Sequence, residues 1–407
     1  MLIEFSVTNF RSFREKQTFS MVAAPRLHKR ENVFKPVVED EKLPDLLKVA
    51  AIYGPNASGK SNLIKALGIV QEVASRQPSA QSIPLPVAPF RFDSQLADQP
   101  SRVELHFIFA EQRYQFELAL TQERIHEERL IAFPVGKETL LYERRHTEAG
   151  DVYSFGKTLE GGEDLHELWK RTTGPQVLFI TQAVANSNED LKQLRSPLIG
   201  LQSGFMVFSD NMEAFRQVSQ KLAEKRKSFA DGLLSFLQEV DVPVDNIRFD
   251  HDEYGLAQSK TTTKTILTHK TQLGLADFEF EDESEGTKNL IGFWSLWHFH
   301  TLAREVTPSA ALIIDEFDSS LHPEIVASLV AKHIKSNLPA QLIFSTHDTH
   351  LMDTKLLRRD QFWLTERDAN GATQLRSIHD FDGRDSENLE KRYYEGRYRA
   401  LPIIRRS

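Results

Sequence analysis

The sequence predicts an α/β fold with an antiparallel β subdomain and a helical insertion. Three observations predict it. An apolar run, Leu46 to Tyr53, leads directly into Gly54-Pro55-Asn56-Ala57-Ser58-Gly59-Lys60-Ser61 and then into a helical stretch. Alternating runs between residues 102 and 144 read as antiparallel strands, and an apolar pattern of helical period fills 164–238. The C-terminal part then alternates helix with strand. On this reading the 407 residues divide into an N-terminal lobe at 1–160, a mainly helical insertion at 161–260 and a C-terminal lobe at 261–407.

Each element follows from a local pattern. Leu2, Phe5, Val7 and Phe10 mark a half-buried strand or two, and a helix is expected from Lys60 to about Ala74. The stretch Ser75 to Pro89, rich in Ser, Gln and Pro, reads as an exposed loop. Arg102 to Phe109 and Tyr114 to Leu120 form a hairpin joined by Ala-Glu-Gln-Arg, and Ile125 to Phe133 and Leu140 to Arg144 add strands. Over Met212 to Gln238, Phe215, Val218, Leu222, Phe229, Leu233 and Leu237 recur at spacings of three, four or seven. Beyond come strands at Ile247 to Leu256 and Lys264 to Thr271, then a helix from Thr287. A strand at Ala310 to Ile314, a helix at Pro323 to Ser336 and a strand at Gln341 to Ser345 complete the pattern.

Composition excludes several classes. Apolar residues make up 40 %, charged residues 27 % and aromatics 10 %, values of a globular chain and not of a disordered or collagen-like one. With 50 Lys and Arg against 58 Asp and Glu, the net charge of −8 gives no global attraction to nucleic acid or anionic membrane, so such contact needs a local patch. Absence of Cys removes disulfides, thiolate nucleophiles and cysteine metal sites, and fits a reducing compartment. The N-terminus lacks a signal-peptide layout and no apolar run approaches the ~20 residues of a membrane span, so a cytoplasmic location without membrane contact is expected.

Residues 54 to 61 fit G-x-x-x-x-G-K-S, between a predicted strand and a predicted helix. Gly54 and Gly59 let the backbone curl, through Pro55, Asn56, Ala57 and Ser58, so that successive N–H groups face a β-phosphate at the positive end of the helix. Lys60 is placed to neutralise charge between β- and γ-phosphates, and the Ser61 hydroxyl to coordinate Mg²⁺. The apolar run Ala310 to Ile314 ends in Asp315-Glu316, as a buried parallel strand does where it opens onto a ligand crevice. Asp315 is expected to hold Mg²⁺, and Glu316 to orient or deprotonate an attacking water. A strand at 342–344 then delivers Ser345-Thr346-His347-Asp348. His347 is expected to hydrogen-bond the γ-phosphate, although a lone His is also commonly structural. Together with His350 it lacks the third ligand at fixed spacing that a transition-metal site needs.

Glu283-Ser284-Glu285-Gly286-Thr287-Lys288 opens an apolar helix. Ser284, the Gly286 backbone and Thr287 form a second anion-binding helix end, whose expected target is the γ-phosphate held by a second subunit. The same residues also suit an ordinary helix cap.

Phosphate loop, long insertion, Ser-Gly motif, Asp-Glu strand, the Asp-bearing segment Phe317-Asp318-Ser319-Ser320-Leu321-His322-Pro323 and His347, in this order, resemble the ABC-type ATPase heads of SMC and RecF proteins. The opening Asn9-Phe10-Arg11-Ser12-Phe13 is similar to that of those heads. More narrowly, these motifs together with Arg358-Arg359-Asp360-Gln361 and Tyr394-Glu395-Gly396-Arg397-Tyr398 resemble the bacterial AbiL/RloA-like AAA ATPases associated with phage defence. The resemblance covers residues 1–130 and 270–405 and matches the middle only in kind. Two departures stand out: no Gln is assigned to the Q-loop, and Arg399 stands where Gly is expected.

The resemblance implies an ABC-type P-loop ATPase head using ATP and Mg²⁺, with Arg11 and Asp318 contacting nucleotide. It implies a homodimer or higher homo-oligomer that sandwiches ATP, acting as a sensor or scaffold of an abortive-infection system and controlling a separate nuclease or other toxin. The alternative it leaves is a RecF-like repair ATPase that clamps DNA. Lys221, Lys225, Arg226 and Lys227 would suit DNA phosphates, and equally a solvated helix face. Phe293, Trp294, Trp297 and Phe299 read as core, with a partner surface as the alternative. Asp250, Asp252 and Glu253 read as a turn before they read as a metal site.

Overall fold

The computed structural model describes residues 1–77, 83–188, 191–208, 212–251, 263–306, 311–319, 321–336, 338–352, 354–384, 387–398 and 400–401. Residues 78–82 of the expected loop, 252–256 (with Asp252 and Glu253) at the end of an expected strand, Ala310, Ser320, Arg399 and residues 402–407 lie outside the described residues, as does the side chain of Phe299. The chain forms two compact units. One comprises Met1–Ser209, Thr307–Phe317 and Val330–Ser407; the other comprises Asp210–Val306 and Asp318–Leu329. Among the described residues no helix is long and apolar enough to cross a membrane.

In the first unit, alternation of apolar and polar residues gives each N-terminal strand one buried face. Among the described residues, seven strands pair antiparallel in the order Gly150–Phe155, Thr139–Thr147, Ile125–Ala132, Gln112–Leu120, Ser101–Phe109, Leu2–Thr8 and Gln17–Ser20. Leu2, Phe5, Val7, Leu105, Phe107, Phe116 and Leu130 lie in its core. The predicted four-residue hairpin link is shorter than expected: Phe109 pairs with Gln112, leaving only Ala110 and Glu111 at φ of 48° and 58°. That left-handed pair is the turn whose twist matches the strands.

The second sheet of this unit carries the continuous apolar runs. Its strand order is Phe205–Phe208, Ala311–Ile314, Gln341–Ser345, Val49–Tyr53, Phe362–Arg367 and Thr373–Ser377. Pairing is parallel throughout except at the last strand. Parallel strands have both faces covered, and Val49–Tyr53, Ala311–Ile314 and Gln341–Ser345 are buried at every position. The helix Lys60–Ala74 follows Val49–Tyr53 through the loop at 54–59. Phe205–Phe208 interrupts the run expected to be helical, because four residues hold too little periodicity to be told from a helix turn by pattern alone.

The second unit contains the helices Met212–Lys225, Lys227–Glu239 and Glu285–Val306 and an antiparallel sheet of Val244–His251, Thr263–Thr271 and Gly274–Glu279. The helical stripe expected to run unbroken through 212–238 breaks at Arg226, which is extended at φ −134°. Between the buried Ala223 and Phe229 the chain has only charged residues and Ser, exposed from Lys225 to Ser228, so no packing holds a single axis there. Phe293 and Trp297 are buried, and Trp294 stacks on Phe236 at 5.3 Å, as expected of core residues. Gly232 allows that approach, since a Cβ there would fall 2.8 Å from the Trp294 ring.

A buried polar cluster ties the first sheet to a helix. Glu128, on Ile125–Ala132, accepts from the Tyr142 hydroxyl (2.6 Å) and from Phe179 N (2.7 Å) and Ile180 N (3.2 Å) at the start of the helix Phe179–Ala185. Arg144 lies 3.9 Å away and bonds Asp151, Val177 O and Gly174 O. Burial pushes the Glu128 carboxyl up, and the Arg144 charge opposes it. Glu128→Ala leaves the Tyr142 hydroxyl and two buried amides without their acceptor and removes a counter-charge from Arg144, and is expected to cost about 3–5 kcal/mol in urea unfolding. An exposed control, Glu148→Ala, should change stability by less than about 0.5 kcal/mol.

Candidate functional site

The loop at 54–61 is shaped by its glycines and by what lies behind them. Gly59 has φ +112°, and a Cβ there would meet Thr373 Oγ1 at 2.2 Å; a Cβ on Gly54 would meet Thr365 Oγ1 at 2.3 Å. Those two threonines also hold the loop. Ser58 Oγ lies 2.6 Å from Thr365 Oγ1, and Thr373 Oγ1 lies 2.8 Å from both Ser58 O and Ser12 Oγ. Ala57 takes φ +60°, and the Lys60 ammonium donates to Gly54 O (2.8 Å) and Pro55 O (3.3 Å). Gly59 precedes the helix, so the positive helix end faces the loop.

The Asn9-Phe10-Arg11-Ser12-Phe13 segment is a splint. Asn9 is buried; its amide donates to Leu96 O (3.0 Å) and Gln99 O (2.9 Å), and its Oδ1 accepts from Phe90 N (2.9 Å). Arg11 N donates to Ala88 O at 2.8 Å. Arg14 makes two bonds to Asp93 Oδ2, at 2.8 and 3.1 Å, and that guanidinium, with the Gln95 amide, holds the Asp93 carboxyl below its ordinary value. Ser12 accepts from Asn62 Nδ2 (2.8 Å) and its carbonyl from Thr373 N (2.7 Å), joining the turn to the phosphate-loop helix and to the sheet edge.

At the end of Ala311–Ile314, Asp315 N donates to Phe208 O at 2.8 Å. The Ser345 hydroxyl donates to Asp315 Oδ1 and accepts from Glu316 N at 2.8 Å. Glu316 is held at φ +51°, an unfavourable backbone for a side chain of this kind, and Phe317 N donates to Ser345 O at 3.0 Å. Such a backbone costs about 1–3 kcal/mol and persists only where its surroundings fix it. On the neighbouring strand Thr346 N donates to Ile52 O at 3.1 Å, leaving His347 exposed. Beyond it Asp348 caps the next turn, and Thr349 Oγ1 meets Glu390 Oε1 (2.9 Å) and the Tyr394 hydroxyl (3.0 Å) of the helix Leu389–Tyr394.

These parts open on one cleft of about 810 Å³. Its lining includes Asn56 to Ser61 of the loop, Arg11, Glu316 and His347. Arg91, Phe92 and Arg367 line it too. Arg11, Lys60, Arg91 and Arg367 make the cleft receptive to an anion, with Glu316 as its carboxylate. Asp315 is half-buried and bonded to Ser345, and Gly54 and Pro55 open the loop; none of the three is in the lining. Ser61 and Asp315 offer hard oxygen donors, the type Mg²⁺ takes, and the glycine cradle suits a phosphate chain.

Ser284, Gly286, Thr287 and Asp318 belong to the second unit. There Ser284 Oγ accepts from Thr287 N (3.1 Å) and lies 2.9 Å from Thr287 Oγ1, capping Glu285–Val306. Asp318 O accepts from Leu321 N at 3.1 Å in a turn before Pro323–Lys335.

Sequence reasoning left out Ser345, Thr365, Thr373, Asn62, Arg91, Phe92 and Arg367. Ser345 carried the nearest signal, as the last residue of a recognised strand beside the Asp-Glu strand. The two threonines sit on strands that were not predicted, and Phe92 lies in a loop where no period marks a position.

The chain is similar to the SMC head domain from Thermotoga maritima, with 15 % identity and a TM-score of 0.40 over 92 % of this chain and 98 % of that one. It is also similar to a structure described as "Crystal structure of the SmcHead bound to the C-winged helix domain of ScpA", with 13 % identity and a TM-score of 0.44 over 92 % and 97 %. No curated protein matches it. Residues 49–353 match the family described as "AAA domain, putative AbiEii toxin, Type IV TA system". That span is most of the 407 residues and holds the phosphate loop, the Ser284 cap and the Asp315-Glu316 strand end, so the chain belongs to this AAA-domain family.

Proposed function

We propose that the protein is a Mg²⁺-dependent ATP hydrolase whose nucleotide cycle drives a sensor or scaffold of a bacterial anti-phage system. The observation that carries this reading is the meeting of Lys60, Ser61, Glu316 and His347 in one cleft behind a glycine cradle. When bound, Mg²⁺ supplies charge neutralisation at the β- and γ-phosphates. Ser61 and Asp315 hold it, Lys60 contacts the same phosphates, and His347 hydrogen-bonds the γ-phosphate. Glu316 orients a water and takes its proton as the water oxygen attacks phosphorus and the bond to the bridging oxygen of ADP breaks. The strained backbone at Glu316 and the Ser345 tie are the features expected of a carboxylate held for one task.

The defence role draws on the family, whose description names a toxin and a type IV toxin–antitoxin system, and on the motif resemblance. In this reading the chain governs a separate effector, and ATP preference over GTP comes from the family alone. The Ser284 cap acts on the γ-phosphate of a second copy, so a complete site takes two chains related by a two-fold axis. A second reading, a DNA-clamping ATPase, is favoured by the exposed cluster Lys221, Lys225, Arg226 and Lys227. ATP-dependent binding to purified duplex DNA supports the second reading; co-purification with an operon-encoded effector supports the first.

Glu316→Gln is expected to slow single-turnover hydrolysis by at least about 100-fold while ATP stays bound. Wild-type turnover in that variant removes Glu316 from the mechanism. Ser345→Ala frees Asp315 and Glu316 from their shared hydroxyl, and is expected to raise the Mg²⁺ requirement or lower turnover by about 10- to 100-fold with an unchanged melting profile. Ser284→Arg should leave ATP binding intact and abolish turnover, as Lys60→Ala should abolish binding. Mixing those two variants restores one intact composite site, so partial recovery of activity is expected; an active enzyme that stays monomeric at every concentration contradicts the two-chain site.

A further inference from the structure

Phe92 is anomalous. It is 81 % exposed, and among the described residues its ring is the one large apolar side chain in the lining of a cleft that also carries Arg11, Lys60, Arg91 and Arg367. Its backbone is nevertheless fixed: Asn9 bonds Phe90 N on one side, and Arg14 clamps Asp93 on the other. One side of the ring is backed. Phe90, itself buried, meets it edge-on at 5.7 Å, and Gly371, at φ +78° in the turn after Phe362–Arg367, leaves just enough room, since a Cβ there would stand 3.3 Å from Phe92 Cε2. The rest of the ring faces the cleft that holds Lys60 and Ser61. A largely exposed ring on a tethered backbone, beside guanidinium groups and a glycine-rich loop, matches the two ends of a nucleotide: a flat base and a polyanion. The whole cleft, at about 810 Å³, is within the range of small-molecule sites.

We propose that Phe92 is the platform on which the nucleotide base stacks, with the Arg91 guanidinium, which neighbours it in the same lining, adding cation–π attraction. The cleft is then a nucleoside triphosphate site that favours purines by their larger stacking area. The ring itself does not separate ATP from GTP, because both bases present a π-face. This inference rests on the reading of the cleft as a nucleotide site, and goes beyond it in assigning the base subsite.

The test uses the full chain and calorimetric titration with ATP, CTP and inorganic triphosphate. Phe92→Ala is expected to weaken ATP by about 10- to 100-fold and inorganic triphosphate by less than about twofold. Phe92→Trp is expected to restore ATP affinity, and its indole emission to change on adding ATP but not on adding inorganic triphosphate. Wild-type protein should bind ATP more tightly than CTP. Unchanged ATP affinity in Phe92→Ala overturns the proposal, as does an equal loss for ATP and inorganic triphosphate, which marks the ring as support for the loop. A wild-type chain that binds inorganic triphosphate but gains nothing from the base overturns the platform alone. One that binds neither overturns the nucleotide reading, and the platform with it.

Discussion

The hydroxyls of Thr365 and Thr373 occupy the space that side chains at positions 54 and 59 would need. Everything at the cleft depends on that close approach. It holds the loop curled, places Lys60 at the head of its helix, and leaves no tolerance for a larger residue at either glycine. The same two threonines bond Ser58, and Thr373 bonds Ser12, so one contact region joins the N-terminal turn, the loop and the edge of the parallel sheet. The constraint is steric first and polar second: the Cβ positions would overlap at 2.2–2.3 Å, whereas each hydroxyl bond alone contributes only about 1 kcal/mol.

Around that contact three non-glycine residues of the cleft lining carry a left-handed backbone. Arg11, Ala57 and Glu316 all line the cleft and all take positive φ. In each case a neighbouring bond fixes the conformation: Arg11 N to Ala88 O, Ser58 N to Pro55 O, and Glu316 N to Ser345 Oγ. A side chain aimed by a strained, bonded backbone is pre-positioned and loses little freedom when a ligand arrives. The 88–93 segment is tethered without such strain, by Asn9 at Phe90 and Arg14 at Asp93.

Much of this was legible in the residues. The phosphate loop and its helix, the Asp315-Glu316 strand end, the Gln341–Ser345 strand and the first hairpin all carry dense local signals, either fixed spacing or unbroken apolar runs. What stayed hidden depends on partners far away in sequence. Phe205–Phe208 is a strand only because Ala311–Ile314 pairs with it. Phe362–Arg367 and Gly274–Glu279 carry too few apolar alternations to stand out, and the break at Arg226 shows only as a gap in a stripe. Ser345 looked like the polar end of a strand. Its role comes from Asp315 and Glu316, which reach it across the sheet from 30 and 29 positions away.

Gln341 shows how far the ends of the chain cooperate. Its side-chain amide accepts from Leu2 N at 2.6 Å and donates to Leu2 O at 2.8 Å, standing in for a strand where the two sheets meet. Ser58 and Thr373 are likewise 315 residues apart. During synthesis at roughly 5–20 residues per second, the loop therefore waits on the order of tens of seconds for the strand that backs it. Until then the glycines are unsupported, and until Gln341 is made Leu2 has no amide to dock on. The nascent chain thus spends that interval with its phosphate loop written but not yet built, and a transcript cut short before residue 373 yields no finished site at all.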